Sequence, residues 1–509
     1  MKDFFVKYSK HILLIVFALE VLALLLNTPL TTSLWLDESI TAWVTSGSYS
    51  DLLHRTWVYE CKSPLYFTII WLIRFFSDSE FLLRLPSLIA SIASVYFLYK
   101  LVNLWFGDID SRAGLMAIII FIAQDTFLKS AVSARQYGLL LLFSILSVYF
   151  LALWLRSNKK SHLIFYTASV ILLFYAHYLY LPILFLHFLQ CITYRDNEKK
   201  AAKTLSKWFA CVFIITLFCI PGLYHLYLVF LRSDLYIFSN PPGFTQLLTK
   251  TFNPYICTLT LIGLLFGGIA ASFSLPSKIK IREWGLIAIW CIFPPVLVFC
   301  YSHLTSNNIL SWRFILWQTP AIACLGAALI CLYTKEKSRT YAALTIALLV
   351  ILIPREWNID DYKSLTTQLN LIHAEEPETP IFVHTGLVEM DRVSWLQNPT
   401  YSDYLKAPFL YYGATFTPTY LPSGYCTDDT KKYFNEHIKG IAQNAKHFYV
   451  AFPRTTPIRN CPKTNIQKKT FTSYHTEYFA NEANSTPIEE MNFGILRLVK
   501  FSKTSLKQS

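Results

Sequence analysis

From about residue 11 to residue 353 the chain alternates long apolar runs with short charged interruptions. Runs long enough to approach a membrane span, which needs about 20 helical residues, lie at His11 to Leu26, Phe81 to Phe106, Ala113 to Phe127 and Gly138 to Leu155. The block Leu163 to Tyr194 has room for two, with His177 at the turn between them. Five more follow, at Trp208 to Leu231, Tyr255 to Phe273, Trp284 to Tyr301, Trp312 to Tyr333 and Ala342 to Ile353. The pattern predicts an all-α polytopic domain of about eleven spans. Lys2, Lys7 and Lys10 ahead of Leu13 read as the flank of an uncleaved first span.

One shorter apolar stretch, Pro64 to Phe76, decides the sidedness, because every later loop changes face if it crosses. Cationic loops arbitrate, since Lys and Arg favour the cytoplasmic side. The clusters at Arg156, Lys159 and Lys160, at Arg195 to Lys207, at Lys278 to Arg282 and at Lys335 to Arg339 share a side with Lys2, Lys7 and Lys10 only if Pro64 to Phe76 does not cross. That stretch is short, begins with Pro and carries Arg74, so it reads as an amphipathic helix lying in the interface. Ser39 to Leu53 reads the same way. Thr28 to Glu80 is then one outer loop with two interfacial helices.

Beyond Pro354, polar residues, Pro, Asn and Tyr return, over about one ordinary domain's length. The expected division is residues 1–354, membrane domain, and 355–509, a soluble α/β or α+β domain on the outer side. Within it Tyr362 to His373 reads as a helix, and Pro380 to His384 and Phe448 to Phe452 as strands. Ser502 to Ser509 reads as a frayed tail.

Composition sharpens this. Hydrophobic residues make up 54% of 509 and charged residues only 15%, with a mean hydropathy of +0.39. The net charge of +13 would suggest nucleic acid in a soluble protein; its confinement to short loops ties it to anionic lipid instead. Most of the 11 cysteines sit singly in apolar runs, as small hydrophobes. Cys426 and Cys461 stand apart in the polar region, where an oxidising compartment would allow a disulfide.

Asp37 and Glu38 follow the first span directly. Two adjacent carboxylates beside a membrane are costly to desolvate and usually face solvent, a cation or a cationic substrate; a helix N-cap is the ordinary alternative. With the sidedness fixed, Lys62, Arg84, Arg135, Tyr137, His177, Tyr178 and Arg313 fall at the same outer surface. Such a cationic ring beside carboxylates suits a phosphate-linked substrate: the cations hold the phosphate as it leaves, and a carboxylate takes a proton from the acceptor. Arg84 and Arg313 are equally able to snorkel to lipid headgroups, and His177 to serve as a bonded turn residue. Glu20 reads as a structural hydrogen-bonding group inside the first span. The aromatic residues, Trp35, Trp43, Trp57 and Tyr59 among them, suit an interfacial belt, and some suit stacking on a sugar.

The Asp37-Glu38 pair, Lys62-Ser63-Pro64-Leu65-Tyr66, and Glu80-Phe81-Leu82-Leu83-Arg84-Leu85-Pro86-Ser87 together resemble the GT-C glycosyltransferases. More narrowly, they resemble the branch containing protein O-mannosyltransferases and the bacterial aminoarabinose transferases that modify lipid A. Phe106-Gly107, Arg112-Ala113-Gly114, Ala134-Arg135-Gln136-Tyr137, His177-Tyr178 and Trp312-Arg313-Phe314 extend the resemblance over roughly the first 330 residues. The eukaryotic branch's C-terminal sugar-binding trefoil is not matched.

The resemblance implies a GT-C-like membrane domain that transfers a sugar from a polyprenyl-phosphate donor to a glycolipid, polysaccharide or protein acceptor, usually with inversion, on the extracytoplasmic side. It implies Asp37 as general base and Glu38 in support. The two carboxylates together are candidates for a divalent cation such as Mg or Mn. Lys62, Arg84, Arg135 and Arg313 are the candidates for donor phosphate, and Tyr59, Tyr137, His177 and Tyr178 for substrate contact. A multi-pass protein of a bacterial plasma (inner) membrane is expected, with lipid-linked sugar and membrane lipid as partners and no nucleic acid. Two other classes fit the same sequence, a flippase of lipid-linked saccharide and a non-catalytic envelope scaffold. The absence of visible repeats and the gathering of polar residues at one surface speak against transport.

Overall fold

The computed structural model describes residues 9–108, 110, 112–193, 198–231, 241–252, 254–271, 281–305, 308–333, 336–352, 357, 360–454, 461 and 470–503. Several topology-setting residues, Lys2, Lys7, Arg195, Lys278, Lys280 and Lys335, lie outside these, as does the tail from residue 504. The protein is mostly helical and divides into two compact units, one of Met1–Leu30, Leu53–Ser77 and Phe81–Arg355, the other of Thr31–Leu52, Asp78–Glu80 and Glu356–Ser509. This differs from a simple cut at residue 354: part of the first loop, with Asp37 and Glu38, folds with the C-terminal residues.

Among the described residues of the first unit, five helices are long and apolar enough to cross a membrane: Glu80–Phe106, Tyr137–Ser157, Ala201–Leu231, Arg282–Leu304 and Trp312–Cys331. The other expected spans appear as shorter apolar helices, including His11–Leu26, Lys160–Ala176 and Tyr178–Thr193. The last two part at His177, as the sequence suggests. Ala113 to Phe127 is not one straight helix but two, Ala113–Ile122 and Asp125–Ala131, bent by 72°. At the break Gln124 is extended and its Nε2 donates to the Thr319 carbonyl at 3.0 Å. Asp125 then opens the second helix, where an acidic residue opposes the exposed amides. Pro64 to Phe76 forms the helix Leu65–Arg74, and the preceding residues form Leu36–Val44 and Tyr49–Val58.

At the opposite end of the Glu80–Phe106 helix, Asp110 accepts from Arg112 Nε at 3.0 Å and from the Arg339 guanidinium. Burial alone would raise the Asp110 carboxyl; the hydrogen bonds from the Arg112 side chain and amide, with the charges of Arg112 and Arg339, outweigh it and hold the group below its ordinary range. The ion cluster ties this turn to the Glu336–Leu352 helix. Gly114 lies where a Cβ would come within 2.6 Å of the Asn103 amide.

The second unit is built on a mixed five-stranded sheet of order β2-β1-β3-β5-β4, with β1 Ile381–Val383, β2 Thr419–Tyr420, β3 His447–Pro453, β4 Ser485–Phe493 and β5 Leu496–Lys503. β1 runs parallel to β2 and β3; β5 is antiparallel to β3 and β4. Strand side chains alternate between faces, and here both faces are apolar. Phe382, Phe448, Val450, Val499 and Phe501 pack on one side with the Phe471–Ala483 helix. Ile381, Val383, Tyr449, Ala451, Leu496 and Leu498 pack on the other with Tyr362, Leu365 and Leu369 of the Tyr362–Glu375 helix. Leu36 packs into this second layer. The Cys426–Cys461 disulfide is formed.

Candidate functional site

Within the first unit two of the four candidate cations, Lys62 and Arg135, converge on one carboxylate. The Tyr49–Val58 helix ends in a turn in which Cys61 takes a left-handed conformation, φ 50°, and the Lys62 amide donates back to the Thr56 carbonyl at 3.2 Å. Glu60 and Lys62 thereby come together, Lys62 Nζ 2.5 Å from Glu60 Oε2. The same oxygen accepts from Arg135 Nη2 at 3.1 Å, with the Arg135 side chain 1% exposed and that of Glu60 5%. Charge-assisted bonds at such separations are strong, and a buried arginine without its partner is heavily penalised.

Arg135 is placed by its backbone. Ser87 Oγ, on the Glu80–Phe106 helix, donates to the Arg135 carbonyl at 2.7 Å and shares a 3.0 Å hydrogen bond with the Tyr66 hydroxyl. Gly138 permits this closeness, since a Cβ there would stand 2.4 Å from the Ser87 carbonyl oxygen. A segment between two helices is thus fixed from the side by a third.

His177 caps the end of Lys160–Ala176, its Nδ1 accepting the Leu179 amide at 3.3 Å. It lies within electrostatic reach of Lys62 and Arg135, its ring 5.8 Å from that of Phe314. Tyr178 is buried and bonds His225 Nδ1 at 3.0 Å; the His225 ring stacks on Trp57 at 5.2 Å, on the helix that leads to Glu60. Tyr180 donates to the Arg313 carbonyl, and the Tyr137 ring meets Trp312 at 4.9 Å. Arg313, half-buried, is therefore carried by a backbone fixed on both sides. Tyr59 is buried with its ring edge toward His54, 6.1 Å away. Arg84 is different: its Nη1 donates to the carbonyls of Pro29 and Leu30 at 2.8 and 3.1 Å, so this guanidinium holds the chain as it leaves the first helix.

In the second unit, Leu36–Val44 carries both sequence-identified carboxylates in its first turn. Glu38 is fully buried and reaches back to the Trp35 amide at 3.2 Å, spending its carboxylate on an otherwise orphan donor. Asp37 is half-buried. A third carboxylate joins them: Asp360 Oδ2 accepts the Leu36 amide at 3.2 Å. Burial, with the charges of Asp37 and Glu38, pushes the Asp360 carboxyl up to about 6, against the smaller opposing effect of the Leu36 bond. Two of the three carboxylates are tied to backbone amides, and among the described residues no group of three His, Cys, Asp or Glu is disposed to hold a metal ion.

Sequence reasoning missed Glu60 and Asp360. An acidic residue two positions before Lys62, in a turn flanked by Tyr59 and Cys61, is the local signal for the first. Asp360 gives no signal in sequence, being 324 positions from its partner.

Residues 61–225 match the family model described as dolichyl-phosphate-mannose-protein mannosyltransferase. No curated protein matches the chain. Among solved structures, ArnT from Cupriavidus metallidurans in the apo state is similar at 11% identity, over 97% of this chain and 98% of that one, with a TM-score of 0.40. The same protein bound to undecaprenyl phosphate is similar at 12% identity, over 96% and 97%, also at 0.40.

Proposed function

With the match of residues 61–225 to the dolichyl-phosphate-mannose-protein mannosyltransferase model as the premise, we propose that this protein is an integral-membrane enzyme of the GT-C glycosyltransferase kind. It moves a sugar, hexosyl or pentosyl, from a polyprenyl-phosphate donor to an extracytoplasmic glycolipid, polysaccharide or protein, in a bacterial plasma membrane. The observation that carries this reading is the convergence of Lys62 and Arg135 on one oxygen of Glu60, 2.5 and 3.1 Å away. Two cations already disposed about one anionic oxygen are equipped to receive a phosphate oxygen.

The chemistry follows from the charges. An acceptor hydroxyl attacks the anomeric carbon on the face opposite the phosphate, the bond from that carbon to the phosphate oxygen breaks, and polyprenyl phosphate departs with the electron pair. Lys62 and Arg135, joined by Arg313, stabilise the charge that grows on the leaving oxygens. Asp37 takes the hydroxyl proton; Glu38 supports by keeping the first turn of its helix intact. His177, within electrostatic reach of Lys62 and Arg135, contacts the substrate together with Tyr137 and Tyr178 in this reading, and Tyr59 lies in the turn that carries Lys62. Arg84 acts in the fold rather than on the phosphate.

The test is transfer of labelled sugar from a panel of polyprenyl-phosphate donors into membrane acceptors, comparing the native protein with Asp37→Asn. Transfer from one donor that disappears in the folded, inserted variant supports the reading. Equal transfer by both proteins removes Asp37 from the role of base, and no transfer from any donor overturns the enzymatic reading.

A further inference from the structure

The segment Ser33 to Leu36 is fastened to distant parts of the second unit. The Leu34 amide donates to the Tyr412 hydroxyl at 2.7 Å, Ser33 Oγ accepts from the Lys363 amide at 3.2 Å, and the Leu36 amide donates to Asp360 Oδ2 at 3.2 Å. The Leu36 side chain packs against the core layer that contains Tyr362 and Leu498. Asp360 is itself held, by bridge pairing with Gly494 and by its carbonyl accepting from Tyr362, and is buried. Of these fastenings the one from Asp360 is closest to Asp37, because it grips the amide of the residue immediately before it.

We propose that Asp360 is the positioning residue for Asp37: through the Leu36 amide it fixes the start of the Leu36–Val44 helix, and so the direction in which the first turn presents the Asp37 carboxylate. This rests on the reading of Asp37 as base. Asp360 touches no reacting atom in this role. It places a residue that must meet a hydroxyl proton within hydrogen-bond reach, and an ångström of displacement in such a group costs about a hundredfold in rate. The arrangement gives the C-terminal residues a direct part in transfer, exerted on the carboxylate helix.

The experiment compares Asp360→Ala and Asp360→Asn in the full-length protein. An asparagine oxygen still accepts the Leu36 amide; alanine cannot. Hydrogen exchange of the peptide covering 33–44 is expected to quicken about tenfold or more in D360A and to stay near native in D360N, the range set by loss of one buried charge-assisted bond. In transfer assays, D360A is expected to lower kcat about ten- to a hundredfold with KM for the donor changed less than about threefold, and D360N to restore kcat to within about threefold of native. Native exchange or native kcat in D360A overturns the proposal, and so does D360N as inactive as D360A. If D360A also loses protection in β3 and β5, the unit has unfolded, and the decision passes to D360N and to Tyr412→Phe, which must loosen the same peptide to a lesser degree. If the native protein transfers nothing, the enzymatic reading fails on its own, while the exchange comparison still decides whether Asp360 holds the helix.

Discussion

Glu60 Oε2 lies 3.1 Å from Arg135 Nη2 and is shared with Lys62 Nζ at 2.5 Å. Replacing Glu60 with Gln keeps an acceptor but removes the charge opposing a buried guanidinium. The variant is expected to lose about 2–4 kcal/mol of stability, read as a lower Tm in detergent. Added polyprenyl phosphate is expected to raise the Tm of Glu60→Gln by more than that of the native protein, since phosphate then supplies the missing charge. Equal shifts in both would show that the two cations do not receive it.

Gly138 and Ser87 give a second prediction. A methyl at 138 would come within 2.4 Å of the Ser87 carbonyl oxygen, and neither helix backbone can retreat cheaply. Gly138→Ala is expected to cost about 1–3 kcal/mol and to displace Arg135, whose carbonyl is bonded by Ser87. Weaker binding of polyprenyl phosphate, measured by titration, should accompany the lower Tm.

Asp360 gives the second unit a pH dependence. Its folded carboxyl is raised to about 6 from the ordinary 3.8, so between these values the native state binds more protons than the unfolded chain. Stability from this group is therefore complete below about pH 4 and lost as pH rises through about 6, by roughly 3 kcal/mol at most. Denaturant unfolding of the second unit, followed between pH 4 and 7 in native protein and in Asp360→Asn, should show that slope in the former and a flatter one in the latter.

The Cys426–Cys461 bond closes a loop of sequence separation 35. Chain entropy sets its contribution at roughly 4 kcal/mol, so Cys426→Ala is expected to lower the unfolding midpoint of the second unit, with the first unit's Tm unaltered.

What could be read from the sequence was whatever depends on neighbours along the chain. The break at His177 follows from an apolar block too long for one helix. The Tyr362–Glu375 helix follows from its apolar spacing, and Cys426 and Cys461 stood out as the cysteines lying in polar surroundings. What could not be read depends on partners far away. Glu60 gains its place from Arg135, 75 positions on, and Arg84 is turned to the carbonyls of Pro29 and Leu30 by a chain path that no local pattern encodes. The bend at Gln124 depends on the Thr319 carbonyl. The aromatic and apolar residues of the carboxylate helix suit an interface, and that pattern does not disclose that Leu36 packs in a sheet layer built almost entirely from residues after 360.

That last feature has a cost in time. The ribosome makes Leu36 long before Asp360, 324 positions later, and at about 5–20 residues per second the interval is roughly 16–65 s. Throughout it the Leu36–Val44 segment has emerged without the sheet that will bury it. Biogenesis therefore has a late step, in which residues from 360 onward capture a segment made 324 positions earlier, and a chain stopped at residue 355 never completes it.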